Sequence, residues 1–331
     1  MSYCLIKDKN NNPDTNGYGA VNKNFLIQQY FISCEEYISF LNSIGASYKY
    51  YGLYNTKIQK IISKNRTIFN INNIDPKEPI SYIGLTQLKI YCNWLNTKNL
   101  KYLFNFPYNI ENNSKNEQHM EYWIPSYDEW YKSVYYDPIL TKYWAFPNKS
   151  DDSNTDNTLS AYGLVHAGLL YYTIIDNDTI NTPKNKYMIA GGSKNRNFIN
   201  AKSGTVYYVS DEYYAGYISA RLCKRSDTKK FILKLYDTYG DGWGQNYISI
   251  NDSSHKPLYD KLFLKDGYGP STIILEVDKI ERNINLRYYK QDNLSYENYY
   301  ELYDFDSKQL IYKSNIYESP QDNVIIGLLD K

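Results

Sequence analysis

Few residues in this chain have both the type and the spacing to do chemistry. The four cysteines, at positions 4, 34, 92 and 223, form no CxxC pair and no metal-ligand spacing. Cys34 and Cys92 fall on the apolar sides of expected helices, so they read as buried thiols. His119, His166 and His255 are far apart and form no His-x-x-x-His pattern, which leaves no basis for a histidine metal site. The densest chemistry lies in Asp237 to Asn246, reading DTYGDGWGQN. Asp237 and Asp241 there can share a calcium ion with backbone carbonyls. The rival reading, which the sequence favours, is an Asx-type brace of the turn. Gly240, Gly242 and Gly244 allow backbone angles closed to other residues, and Trp243 can fold back over the end of a sheet sandwich. No other cofactor is expected.

These residues must be held by ordered elements, and the clearest is Tyr122 to Pro147, where three of the five tryptophans (Trp123, Trp130 and Trp144) lie within 22 residues. Pro125 ends an extended segment. Ser126 followed by Glu129 is a capping box, which predicts a helix from Tyr127 that closes at Asp137-Pro138. Trp130 and Val134 then share one face, a pattern of aromatic core anchors rather than a cofactor box. Upstream, Asn24 to Ile32 reads as a strand. Ser33 and Glu36 form a second capping box, and Tyr37, Phe40, Leu41 and Ile44 give a helical stripe ending at Gly45. Leu88, Tyr91, Cys92 and Leu95 repeat that spacing before Asn96, with Trp94 as a packing residue.

The ordered run YWIPSYDEWYKSVYYDP…YWAFP, with FLIQQYFISCEEYISFLNSIG, YYGLYN (Tyr50 to Asn55), PISYI and IYCNWLN before it, resembles the formylglycine-generating enzyme (sulfatase-modifying factor) family. The resemblance spans roughly Gly19 to Lys224 and is strongest in its first two-thirds. It implies a variant of the C-type lectin fold, with short helices around a small twisted antiparallel sheet and much of the chain in ordered loops. It resumes at IAGGSKN, where Gly191 and Gly192 match the family's glycine pair and Gly192 permits tight backbone approach, and it closes near Ser219-Ala220-Arg221. The family's calcium-binding signature falls at Ala161 to Thr173, but AYGLVHAGLLYYT keeps only Tyr162 and Gly163 and lacks the Asp, Asn and Glu, so that calcium site is not expected.

Family enzymes place a redox-active, copper-binding cysteine pair in the window that here is Ala201 to Ser210, AKSGTVYYVS, which contains no cysteine. Soft-metal ligation and thiol oxidation need a thiolate. The expectation is therefore a non-enzyme, with Cys223 structural; the alternative is an oxidoreductase of the same family with a relocated site.

After a polar linker, Ser226 to Lys230, the pattern changes to strands alone: Phe231 to Tyr236, Tyr247 to Ile250, Ser271 to Val277, Ile284 to Tyr289, Tyr299 to Tyr303 and Gln309 to Tyr312, at intervals suiting a β-sandwich. Asp237 to Asn246 resembles the D-x-[YF]-G-D-G-W signature of a small β-sandwich module appended to extracellular and viral proteins. The expected organisation is thus α+β: a lectin-like domain over 1–225 and an all-β sandwich over 229–331.

At 331 residues the chain has room for two such cores. Its net charge of +1, with no long run of either sign, offers no nucleic-acid track and no lipid anchor. Met1 to Gly17 has no apolar h-region, and nothing approaches the roughly 18 apolar residues of a membrane helix, so no membrane insertion and no conventional export signal are expected. Six N-x-[ST] sequons, such as those at Asn65 and Asn177, arise readily in an Asn-rich chain. Tyrosine is abundant, at 40 residues. AT-rich coding explains part of this, and rigid amphipathic contact area suits recognition surfaces. Together these features lead to an expectation of binding by surface contact. The partners would be other protein subunits, second copies of the chain or a glycan, in a setting such as the particle of a large DNA virus or the cytoplasm; an intracellular scaffold is the remaining alternative.

Overall fold

The computed structural model describes residues 1–44, 52–54, 57–63, 66–71, 73–152, 158–176, 183, 185–195, 197–251, 255, 257–278, 283–320 and 324–327. The expected helix end at Gly45, half of the Tyr50 to Asn55 stretch, the middle of the Lys149 to Leu159 loop and the sequons at Asn65 and Asn177 lie outside the described residues. The fold is β-rich α+β, with several small sheets and three α-helices among the described residues. The chain divides into two compact units, Met1–Arg225 and Ser226–Lys331.

In the first unit, α1 (Cys34–Ile44) starts on a reciprocal cap: the Ser33 N–H donates to Glu36 at 3.0 Å and the Glu36 N–H donates to Ser33 Oγ at 3.2 Å. Its apolar stripe, Tyr37, Phe40, Leu41 and Ile44, is buried. α2 (Leu85–Thr97) buries Leu88, Tyr91, Cys92 and Leu95 against it, and Trp94 stacks on Tyr91 while the Lys98 ammonium sits 3.6 Å from its ring centre. α3 (Tyr127–Tyr135) begins where the capping box predicts, with both bonds made, at 2.9 and 3.2 Å. It ends two residues before the expected stop, because Tyr136 and Asp137 pair as a strand with Lys142 and Tyr143.

Two four-stranded sheets surround these helices. One runs in the order Tyr3–Ile6, Phe25–Gln28, Cys223–Arg225, Tyr122–Trp123, so the strand expected over 24–32 is only four residues long. The other runs Val206–Ser210, Lys186–Ala190, Tyr172–Ile175, Ile218–Ser219, with the last pair parallel.

The second unit consists of two antiparallel four-stranded sheets, in the orders Ser271–Asp278, Thr228–Asp237, Asn298–Asp304, Leu310–Lys313 and Pro257–Leu262, Tyr247–Asn251, Asn283–Tyr289, Val324–Gly327. Alternate residues such as Phe231, Leu233 and Leu235 of one sheet meet Ile248, Ile250 and Leu286 of the other in a single core. The stretch read as a polar linker is partly strand, since Thr228 to Lys230 pair with Glu276 to Asp278.

Candidate functional site

The window where the resemblance places catalytic thiols folds as a 3-10 turn, Phe198–Ala201, followed by the edge strand Val206–Ser210. This strand and its neighbours open a cleft of about 370 Å³. Five tyrosines line it, Tyr172, Tyr207, Tyr208, Tyr213 and Tyr217, together with Ile189, Val209, Asn200 and Ser210. The window reaches it as an edge strand, with Tyr207 opposite Ile189 and Tyr208 opposite Met188 across the ladder. Tyr172 is buried and holds the rings of Tyr207 and Tyr217 edge-on at 5.4 and 6.0 Å. Tyr213 and Tyr217 are joined through their hydroxyls. The wall offers aromatic faces, hydroxyls and one side-chain amide, with no thiol, carboxylate, imidazole or ammonium.

The thiols lie elsewhere and are muted. Cys92 and Cys223 are fully buried, and burial pushes both well above the usual thiol range. Burial also raises Cys4 and Cys34. A raised thiol is mostly protonated at neutral pH and so is a poor nucleophile and metal ligand.

The residues singled out in the Trp-rich stretch form a scaffold. Trp123 donates its indole N–H to Glu129 at 2.9 Å, and that buried carboxylate also holds Ser126 N–H and the Lys23 ammonium, at 2.9 Å each. Pro125 follows the short strand and accepts the Asp176 N–H at 3.0 Å. Trp144 donates to Asp137 at 3.2 Å and carries the Lys142 ammonium 3.3 Å from its ring centre. Trp130 is fully buried, its indole nitrogen has no hydrogen-bond partner, and its ring lies under Gly168 and Gly191. Gly191 has φ +87°, and a Cβ there would sit 2.6 Å from Gly168 Cα, so only glycine fits. Gly192 donates to Gly168 O at 2.8 Å. In the Ala161 to Thr173 stretch, Gly163 N–H donates to Ser160 O at 2.9 Å, and the Val165 carbonyl is taken up by the guanidinium of Arg221. Arg221 also donates to the carbonyls of Gln28 and Gln29, and burial lowers its pKa to about 9 while leaving it charged at neutral pH.

In the second unit, Asp237 makes the expected turn brace, its Oδ1 accepting the N–H groups of Tyr239 (2.9 Å) and Gly240. Asp241 and Glu297 stand beside it, with one carboxylate oxygen of each of the three within 4.8 Å of the others. Glu297 was not legible in the sequence: it reaches the turn because Asp237 pairs with Asn298 across the sheet. Trp243, expected over the sandwich end, is instead fully buried in the core, donating to Tyr236 O at 2.7 Å. Gly242, at φ +86°, lets the turn approach Lys265, whose carbonyl oxygen would be 2.5 Å from a Cβ.

No family model matches the chain and no curated protein is similar to it at a significant level. Among solved structures, CarF is similar over 69% of this chain and 99% of its own, with a TM-score of 0.48 at 11% identity. PvdO from Pseudomonas aeruginosa matches over 68% of this chain and 92% of its own (TM-score 0.39, 12% identity). The Treponema denticola variable protein 1 matches over 67% and 94% (TM-score 0.38, 12% identity). Likenesses at this level assign neither a family nor an activity.

No helix among the described residues is long and apolar enough to cross a membrane.

Proposed function

We propose that this chain is a non-enzymatic binding protein that works by surface contact, with a first unit of the C-type-lectin-like, formylglycine-generating-enzyme-like kind and a second unit that is a β-sandwich. The observation that carries the reading is the tyrosine-lined cleft, which occupies the window where an enzyme of the resembling family would carry its thiols. Tyrosine supplies a rigid apolar face and a hydroxyl for the loss of only two side-chain rotations, the combination favoured at recognition surfaces. The high thiol pKa values point the same way, since they leave no ready thiolate for oxidative chemistry. The occupant is a protein segment, from a second copy or from another subunit of a larger assembly such as a virion, and a glycan is the competing occupant.

The test uses the whole chain and the double variant Tyr207→Ala/Tyr213→Ala, which removes two half-exposed rings from the cleft. Concentration-dependent sedimentation reads self-association, mass spectrometry of native assemblies reads other subunits, and a glycan array reads carbohydrate. Binding in any arm should weaken by at least about 2 kcal/mol in the double variant, the scale of central aromatic contacts. Conversion of a sulfatase-type cysteine peptide to formylglycine by the pure chain, with or without copper, would reverse the reading.

A further inference from the structure

The three converging carboxylates of the second unit carry an inference independent of the cleft. Asp237 and Glu297 are only 2% and 4% exposed, yet Asp237 Oδ2 and Glu297 Oε2 have no hydrogen-bond partner. The hydroxyl of Thr238, next in the chain, is buried and unpartnered as well. Asp237's other oxygen is saturated by two backbone N–H groups, and Glu297 takes the Tyr296 hydroxyl, so local donors have been spent without covering these atoms. A buried carboxylate oxygen with no donor is costly, and two residues carrying one, gathered with a third carboxylate within 4.8 Å, are costlier still. The arrangement becomes favourable if a cation sits among them.

The chemistry of the donors selects the cation. All three are hard oxygen ligands, and no thiol or imidazole belongs to the group. Ligand oxygens within 4.8 Å of one another fit around an ion at bond lengths of about 2.4 Å, the calcium distance, without closing in as the shorter bonds of about 2.1 Å to magnesium would demand. The glycines at 240 and 242, both at φ +86°, curl the chain between Asp237 and Asp241 so that the two side chains point to one place. Trp243, fixed in the core and bonded to Tyr236 O, anchors the far end of that curl. We infer that Asp237, Asp241 and Glu297 bind a calcium ion that clamps the glycine turn to the start of the Asn298–Asp304 strand.

The experiment uses the full chain stripped with EDTA, and calcium as the ligand. Calorimetric titration should give saturable uptake of one ion per chain, with an upward shift of the second unit's melting transition and with magnesium binding more weakly. Terbium should replace calcium and luminesce on excitation of the neighbouring Tyr239 and Tyr296 rings, which lie 6.4 Å apart. Asp241→Asn alters an exposed side chain and Glu297→Gln is isosteric, so both should fold. Each should weaken calcium binding at least about tenfold, as loss of a direct ligand costs no less than loss of its supporting shell. Three results would overturn the inference. The first is no uptake up to about 1 mM calcium, the weakest range of protein calcium sites. The second is uptake unchanged in both variants. The third is a Glu297→Gln chain melting higher than wild type while calcium and EDTA leave the wild type unmoved.

Discussion

Each unit buries one tryptophan completely beside a glycine turn, and the two are held differently. In the first unit, the Trp130 ring is an apolar plate beneath Gly168 and Gly191, and its indole nitrogen bonds nothing. In the second, Trp243 is tethered by its indole N–H to Tyr236 O, immediately before Asp237. The first arrangement is packing alone, and it holds the Gly168 and Gly191 turns against the core. The second couples core to loop, so the turn that carries Asp237 and Asp241 inherits its position from the core between the two sheets.

The comparison breaks most visibly at the glycines. Gly191→Ala and Gly242→Ala each place a Cβ against backbone, at 2.6 and 2.5 Å, on a left-handed residue. Each should cost about 3 kcal/mol or more. If the units fold independently, calorimetry of the whole chain will show two transitions, each variant lowering only its own, and the separate fragments 1–225 and 226–331 will keep those transitions. One shared transition, with both fragments unfolded, would contradict that independence.

The tryptophans sharpen it. Trp243→Phe leaves the Tyr236 carbonyl without its buried donor and should cost about 2–3 kcal/mol. Trp130→Phe forfeits only volume and should cost nearer 1 kcal/mol. Equal losses in chemical denaturation would mean the tether is not what distinguishes them.

Titration gives the smallest effect and the clearest sign. In the first unit Tyr37, Tyr91, Tyr108 and Tyr135 are fully buried, and burial raises each above the ordinary tyrosine value of 10.0; Tyr131 is pushed up to about 12. Their stability is fully present below pH 10, the unfolded value, and is lost as pH rises through the folded values. In the second unit the Ser307 N–H and the Lys229 ammonium hold Asp304 down at about 2, so its contribution is present above the ordinary value of 3.8 and fades as pH falls towards 2. Asp304 is close to solvent, so this acid effect should be slight. Circular dichroism with tyrosinate absorbance should show alkaline loss of the first unit exceeding the acid change attributable to Asp304→Asn in the second.

Local signals were legible and long-range ones were not. Ser33 with Glu36 and Ser126 with Glu129 announce helix starts because a cap is written within four residues. Six strands of the second unit show in their alternation, whereas Pro257–Leu262, which starts on a proline and carries charges, and Val324–Gly327 do not. Glu297 was hidden because its nearness to Asp237 depends on a strand register some sixty positions away, which no local pattern encodes. The cleft was half visible. That AKSGTVYYVS holds no cysteine could be read directly, but Tyr172, Tyr213 and Tyr217 reach the cleft from two other stretches of the chain.

Arg221 gathers the carbonyls of Gln28, Gln29 and Val165, and the strand Cys223–Arg225 is what joins Phe25–Gln28 to Tyr122–Trp123. The first sheet of the chain is therefore completed by the last three residues of its 225-residue unit. On a ribosome adding about 5–20 residues per second, the opening strands wait roughly 10–45 s for their partner. During synthesis the exposed edge of Phe25–Gln28 is a liability that lengthens as translation slows. Any nascent chain released before Arg221 emerges lacks the piece that closes the unit, which makes this arginine a checkpoint between an unfinished polypeptide and a folded one.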